Sequence, residues 1–474
     1  MYRTLKNYLR MKGIILIVGS LLLVVIAEGQ GLLKKLDEAV KNLEADSQMK
    51  SAILGLYVVA QKTGETFYDK NAHIGFAVAS SQKVITSAAS LELLGIDYRY
   101  KTELAYEGSI DNGVLKGHVY LIGYGDPTLG SWRYRNTKEQ VVLNEWTRSF
   151  DKNGIKKVNG YIIGYDKNWE SQTIPGGWIW DDIGNYYGAG VSALNWRENQ
   201  YDLKLKSGKT GDKVSIVTTV PKLYDVSLVT ELAAGKPGSG DNAFIYLPPY
   251  ANIGFVRGTI PPGEASFTIS GSFPNPSFQL TSTLADALKA KGIDIKMAVT
   301  SGYESLLDKT PLPKNITTLV THYSPTLDSI NYWFLKRSIN LYGEDLVKTL
   351  GFEKKRAGST DSGISVIKNF WKSNGIDPSS INMIDGSGLS PQNRITSEAL
   401  VKVMQYARTR PWFSSFNNAL PDFNGIKMKS GTIGGAKSFT GYVGGYTFAI
   451  VVNNYNGSAA AIVKKLYKVL DVLK

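Results

Sequence analysis

The chain has no cysteine. Disulfides, thiolate metal sites and a cysteine nucleophile are therefore excluded together. Histidine is nearly as scarce: His73, His118 and His322 are the only three in 474 residues. None stands at a spacing that suggests zinc, and a serine–histidine triad would need one of them. A serine nucleophile in this chain is thus expected to take lysine as its base. Internal repeats and low-complexity segments are also missing. Beyond the N-terminus no apolar run is long enough to span a membrane. The net charge is +13, yet the lysines and arginines form no clustered run, which argues against nucleic acid. Attraction to an anionic cell-wall polymer, or at most a peripheral membrane contact, suits such a charge better.

At 43% hydrophobic and 20% charged, the chain reads as globular, and its length calls for two or more domains. The N-terminus stands apart. Arg3, Lys6, Arg10 and Lys12 precede an apolar run from Ile14 to Ala27 and then "EGQG", the layout of a secretory signal over residues 1–29, with an uncleaved membrane anchor as the alternative. A disulfide-free exported protein fits a bacterial envelope, with the periplasm the expected compartment. Residues 31 to 46 read as an amphipathic helix with Leu32, Leu33, Leu36, Val40 and Leu43 on one face. "AILGLYVVAQKTGETFYDKN" reads as a hairpin. From about 98 to 311 the texture is strands and turns rich in Gly, Pro, Tyr and Trp, with one helical piece, "TSTLADALKAKGI". Helices return after Pro313, and the chain closes with strands and a last helix. The expectation is a mixed α/β domain built from 30–97 and 312–474, with a large β-rich insertion over 98–311.

The stretch "FAVASSQKVITSAASLELLG", residues 76 to 95, sets Ser80 and Lys83 three apart at the start of an apolar helix. That spacing places both on one face, with the hydroxyl at a helix N-terminus that favours developing negative charge. A helix cap is the plain alternative. Serine acyl-transfer enzymes of this kind use S-x-x-K, S-x-N and K-[ST]-G in that order. Each triplet is short enough to recur by chance. S-x-x-K also starts at Ser47, Ser149 and Ser365; S-x-N at Ser329, Ser338, Ser380 and Ser415; K-[ST]-G at Lys62, Lys206, Lys209 and Lys429.

Context selects among them. Ser47 ends a charged helix, Ser149 lies in the insertion, and Ser365 sits inside an amphipathic helix. Ser338 and Asn340 fall where one apolar helix ends and another begins, so both can face a cleft, whereas Ser329 looks like a cap. Lys429-Ser430-Gly431-Thr432 lies on a strand before a hairpin, where an edge can offer N–H groups to an extended peptide. Lys62, Lys206 and Lys209 fall in hairpin turns.

With these residues chosen, the chain resembles the class C low-molecular-mass penicillin-binding proteins, the D-alanyl-D-alanine carboxypeptidase/endopeptidase family. "GYGDPTLG" (123–130), "IPGGWIWDDIGNYYGAGVSALNWREN" (174–199), "DGSGLSPQNRIT" (385–396) and "KSGTIGGAKSFTGYVGG" (429–445) are similar to family blocks in family order. The resemblance implies a penicillin-binding-protein/β-lactamase-like transpeptidase fold acting on peptidoglycan stem peptides and on β-lactams, with no cofactor and no metal. It implies Ser80 as nucleophile, Lys83 as base, and Ser338 as proton relay. Asn340 would orient substrate, and Lys429 would be a second cation that keeps Lys83 neutral. The terminal carboxylate would meet Lys429, Ser430 and Thr432. Gly431 completes the substrate-binding strand, and the N–H groups of Ser80 and Thr432 would form an oxyanion hole. Tyr165 stands first where the family often has an acidic pair near "IIGYDKNW", and Asp166 second, which leaves open whether Asp166 reaches substrate. Trp178, Trp180, Tyr186 and Tyr187 are read as core aromatics before a sugar platform. A β-lactamase and a non-enzymatic wall-binding scaffold are the alternatives.

Overall fold

The computed structural model describes residues 30–295, 299–301 and 315–474, with Asn7 isolated ahead of them. The expected signal segment otherwise lies outside the described residues. The frame of the molecule is a six-stranded antiparallel sheet. Its strands run in the order Thr66–Lys70, Ile53–Ala60, Tyr446–Asn453, Ala436–Val443, Ile426–Ile433 and Asp422–Phe423. The chain's two ends thus meet in its middle, and the 53–70 hairpin forms as its sequence predicts.

Alternation of side chains splits the sheet into two apolar faces. Leu54, Leu56, Val58, Ile450 and Val452 pack against Leu36, Val40 and Leu43 of the helix over 30–44, and against Ile462 and Leu466 of the helix Ala459–Asp471. Leu33, expected on the same stripe, is 40% exposed. Val59, Ala449 and Val451 face the other way, into a helical core that holds Ile85, Ala88, Phe334, Leu346, Leu400 and Met404. Each such side chain removed from water contributes about 2 kcal/mol, so the sheet is fixed from both sides. The helix Lys83–Leu94 is buried along almost its whole length. Around it lie Leu327–Lys336, Asn340–Lys355, Thr360–Ser373 and Ser397–Arg408.

The inserted segment leaves this core after Tyr98 and builds sheets of its own. The first has five strands, in the order Val299–Ser301, Ile162–Tyr165, Val119–Gly123, Lys101–Tyr106 and Thr317–Tyr323. Smaller sheets over 200–272 complete it. Its core contains Leu121, Trp146, Trp196 and Leu284. Two features differ from the sequence reading. A helix, Glu139–Lys152, interrupts the β-rich stretch, burying Val142, Trp146 and Phe150 at helical spacing. The second helix starts earlier than expected, at Pro276, where Asn275 caps it and proline occupies the first turn.

The return strand Thr317–Tyr323 pairs antiparallel with Lys101–Tyr106. Backbone bonds from Ser324 N–H to Tyr100 O (3.0 Å) and from Leu327 N–H to Tyr98 O (2.8 Å) close the junction. The chain thus returns beside Tyr98 and Tyr100 just after Tyr323. The insertion is not detached: its Trp169, Ala189, Val191 and Ala193 belong to the helical core.

Candidate active site

Ser80 lies in a tight 3-10 turn, Ala79–Gln82, that runs directly into the helix Lys83–Leu94. The sequence suggested one helix; the turn instead swings the hydroxyl clear of the first helical residues. It is entered through Ala79 at φ 48°, a left-handed conformation that L-residues adopt at a cost of about 1–2 kcal/mol. Backbone from two sides holds it there. A Cβ at Gly388 would lie 2.1 Å from the Ala79 carbonyl oxygen, and one at Gly431 would lie 2.2 Å from that of Val78. Only glycine permits either approach. Ser81 points inward and is fully buried, donating to the Lys429 carbonyl at 3.3 Å and bonded to Ser438 Oγ at 2.7 Å. Ser80 is half-buried and open to a ligand.

Lys83 is fully buried, and its Nζ has three partners: Ser80 Oγ at 3.0 Å, Asn340 Oδ1 at 2.6 Å and the Ser387 carbonyl at 2.7 Å. Two of these can only accept. A neutral amine carries two N–H donors and one lone pair. With both donors committed to Asn340 and Ser387, the lone pair falls to the Ser80 hydroxyl. Burial drives the Lys83 pKa down to about 7, while the carboxylates of Asp385 and Glu344 oppose it.

Across the cleft, Ser338 joins the helices Leu327–Lys336 and Asn340–Lys355 at φ 56°, so Ser338 and Asn340 enter from a tight corner. Lys429 Nζ donates to Ser338 Oγ at 2.9 Å and to the Ser430 carbonyl at 2.8 Å. Burial lowers the Lys429 pKa well below its ordinary value, and the positive charges of Lys83 and then Lys437 add to it. The sequence reading joined burial to Lys429 as a second cation beside Lys83. Burial is the leading cause for both lysines, and the repulsion between them is expressed on Lys429.

Lys429, Ser430, Gly431 and Thr432 follow one another along Ile426–Ile433. The outer neighbour of that strand, Asp422–Phe423, pairs only with Lys427 and Ile426. From Lys429 onward the outer edge has no strand partner among the described residues. Ser430 is half-buried and Thr432 exposed, so both can meet a bound peptide.

Several supporting residues carried no signal in the sequence reading. Glu344 is buried and accepts from Gly386 N–H and Ser387 N–H, each at 2.9 Å, which aims the Ser387 carbonyl at Lys83. Asp385 accepts from the Gly388 and Ser390 N–H groups and from Trp178 Nε1. The insertion reaches the site through the Tyr187 carbonyl, which accepts from Asn340 Nδ2 at 2.8 Å. Asp166, the acidic residue singled out from the sequence, is only 3% exposed. Trp178 is buried as expected, but Trp180 and Tyr186 are 53% and 52% exposed, so only part of that aromatic group is core. A cavity of about 590 Å³ lies apart from Ser80, between residues such as Glu170, Ile364, Lys368 and Met383.

A half-exposed serine against a buried lysine, with a second serine–lysine pair facing it, is the arrangement of a serine–lysine hydrolase that works through an acyl-enzyme. The chain belongs to the D-Ala-D-Ala carboxypeptidase 3 (S13) family, whose match covers residues 36–423. It is 26% identical over 464 residues to a D-alanyl-D-alanine carboxypeptidase of Actinomadura sp. (strain R39), covering 91% of this chain and 83% of the relative. It is 24% identical over 351 residues to the D-alanyl-D-alanine carboxypeptidase DacB of Haemophilus influenzae, covering 74% and 68%. The fold is similar to the crystal structure of penicillin binding protein 4 from Haemophilus influenzae, with a TM-score of 0.78 at 19% identity over 91% of this chain and 98% of that one. That protein has also been solved in complex with a β-lactam. The expected mixed α/β fold of a penicillin-binding protein is the one found, and the activity is that of a serine-type D-Ala-D-Ala carboxypeptidase. Among the described residues no helix is long and apolar enough to cross a membrane.

Proposed function

We propose that the protein trims peptidoglycan stem peptides through an acyl-enzyme on Ser80, and that β-lactams acylate the same oxygen. The observation that carries this reading is the three-way coordination of Lys83 Nζ by Ser80 Oγ, Asn340 Oδ1 and the Ser387 carbonyl, which leaves an amine lone pair for the serine proton. Ser80 Oγ attacks the carbonyl between two D-alanines as its proton passes to Lys83. The N–H groups of Ser80 and Thr432 stabilise the oxyanion, at roughly 3 kcal/mol per donor. As the C–N bond breaks, Ser338 relays a proton from the Lys83–Lys429 side to the departing amine, and D-alanine leaves. Water then attacks the ester, with Lys83 again taking the proton, and releases the shortened peptide. Crosslinked peptides cleaved after a D-residue use the same centre, which makes DD-endopeptidase action the second activity of this site.

The working unit in this reading is residues 30–97 with the chain from Ser324 onward, and the segment 98–323 shapes access. The basic and apolar N-terminal stretch supports export, and the periplasm is where such a substrate is met. The test is covalent labelling by a fluorescent penicillin. Ser80→Ala should take up no label, while Ser81→Ala should still be labelled, though at a stability cost of about 1–3 kcal/mol for its lost buried hydrogen bonds. Label retained by a folded Ser80→Ala would remove Ser80 from the mechanism. Product masses from defined muropeptides would then separate carboxypeptidase from endopeptidase cleavage, and rapid release of the label would mark a β-lactamase.

A further inference from the structure

Strand register separates the residues of the Lys429–Thr432 motif into two sets. Thr432 is paired across the sheet with Lys437, and Ser430 with Phe439. Ser430, Thr432 and Lys437 therefore share one face, while Lys429 and Gly431 project from the other. On the second face, Lys429 is already committed to Ser338 Oγ and the Ser430 carbonyl. On the first, Lys437 Nζ donates to Thr432 Oγ1 at 2.7 Å and lies 4.7 Å from the centre of the Phe439 ring. Lys437 is 8% exposed, and burial, with no carboxylate beside it among the described residues, brings its pKa down to about 8. An ammonium held this deeply without a counter-ion is an unfavourable arrangement unless an anion arrives during function. Among the described residues its one hydrogen-bond partner is the exposed Thr432, at the edge where a peptide would lie.

We infer that Lys437 is a specificity residue: it supplies the positive charge that, with Thr432 and Ser430, selects substrates bearing a free carboxylate on the residue beyond the scissile bond. This rests on the proposed Ser80 reading and assigns the carboxylate to a lysine outside the three motifs. A charge-assisted bond from Nζ replaces the neutral Thr432 contact when the carboxylate binds. An amide at the same position would leave the ammonium buried and uncompensated, and so would be rejected.

The experiment compares kcat/KM for a tripeptide ending in D-Ala-D-Ala with that for its C-terminal amide, in wild type, Lys437→Gln and Lys437→Arg. Glutamine keeps a donor for Thr432 and removes only the charge. The preference for acid over amide should fall at least tenfold in Lys437→Gln, chiefly through a higher KM for the acid, and should survive in Lys437→Arg. An unchanged preference in Lys437→Gln overturns the inference, even if both rates fall, because a merely structural lysine lowers both alike. If wild type fails to cleave the acid tripeptide at all, the Ser80 reading itself is wrong, and the inference falls with it.

Discussion

Acylation should be governed by the proton on Lys83, and the structure sets where that proton comes off. An ordinary lysine, with a pKa of 10.5, leaves about one amine in 3,000 neutral at pH 7. Here burial brings the value down to about 7, so about half of the molecules hold a competent base at neutral pH. The difference corresponds to roughly 5 kcal/mol of preference for the neutral amine, at 1.36 kcal/mol per unit. The direction follows from the chemistry: the neutral form is the active one. The acylation rate should therefore be level above about pH 8, fall to half near 7, and drop about tenfold for each unit below 6. The assay is stopped-flow acylation by a β-lactam between pH 5 and 9.5, with the β-lactam below saturation, so that the limb reports the free enzyme. A rate that keeps climbing tenfold per unit through pH 9 would show that Lys83 stays charged and would refute burial as the source of its lowered pKa. A rate flat down to pH 5 would mean that another group takes the serine proton.

Two further outcomes follow from the same geometry. Lys429→Ala removes the donor that holds Ser338 Oγ; because burial leads the Lys83 shift, the acid limb should stay near 7 while the rate falls at every pH. A limb that moves up would show that Lys429 also sets the Lys83 pKa. Glu344→Ala strands the buried N–H groups of Gly386 and Ser387. It should cost about 2–4 kcal/mol in a denaturant melt and slow acylation as the Ser387 carbonyl drifts from Lys83. Burial and the neighbouring Asp385 raise the Glu344 pKa, so the site favours its neutral form more than water does. Glu344→Gln, which keeps an accepting oxygen, should therefore retain both stability and rate; equal damage in both variants would show that the charge matters.

The short motifs were readable because their geometry is local. Ser80 and Lys83 are three residues apart, Ser338 and Asn340 two, and the texture around each triplet decided which copy faces a cleft; those side chains do meet in one place. The closing strands were readable for the same reason, since the short apolar run in "YTFAIVVN" marks a strand buried on both faces. Contacts across long separations were not. Glu344 in "LYGEDL" looks like an ordinary helical carboxylate until the 385–387 loop arrives above it. Thr317–Tyr323 gives no sign in its own sequence of its partner Lys101–Tyr106. The helix Glu139–Lys152 was overlooked because its glycine- and tyrosine-rich surroundings masked the spacing of Val142, Trp146 and Phe150. Lys437 looks like an ordinary strand lysine in sequence, because only strand register shows which face it takes.

The hydrogen bond from Asn340 to the insertion ends on the main-chain oxygen of Tyr187. No side-chain replacement at that position deletes the acceptor, so the residue there is free to vary as long as the path of the chain is kept. What must be preserved is contour length. Trp178, tied to Asp385, and Asn195, tied to Asp345, pin the two ends of the span that carries Tyr187. Losing or gaining a single residue between them would pull that oxygen out of register with Asn340. Related sequences should therefore tolerate substitution within this span far better than any change in its number of residues, and excising the whole insertion would unmoor Asn340 along with it.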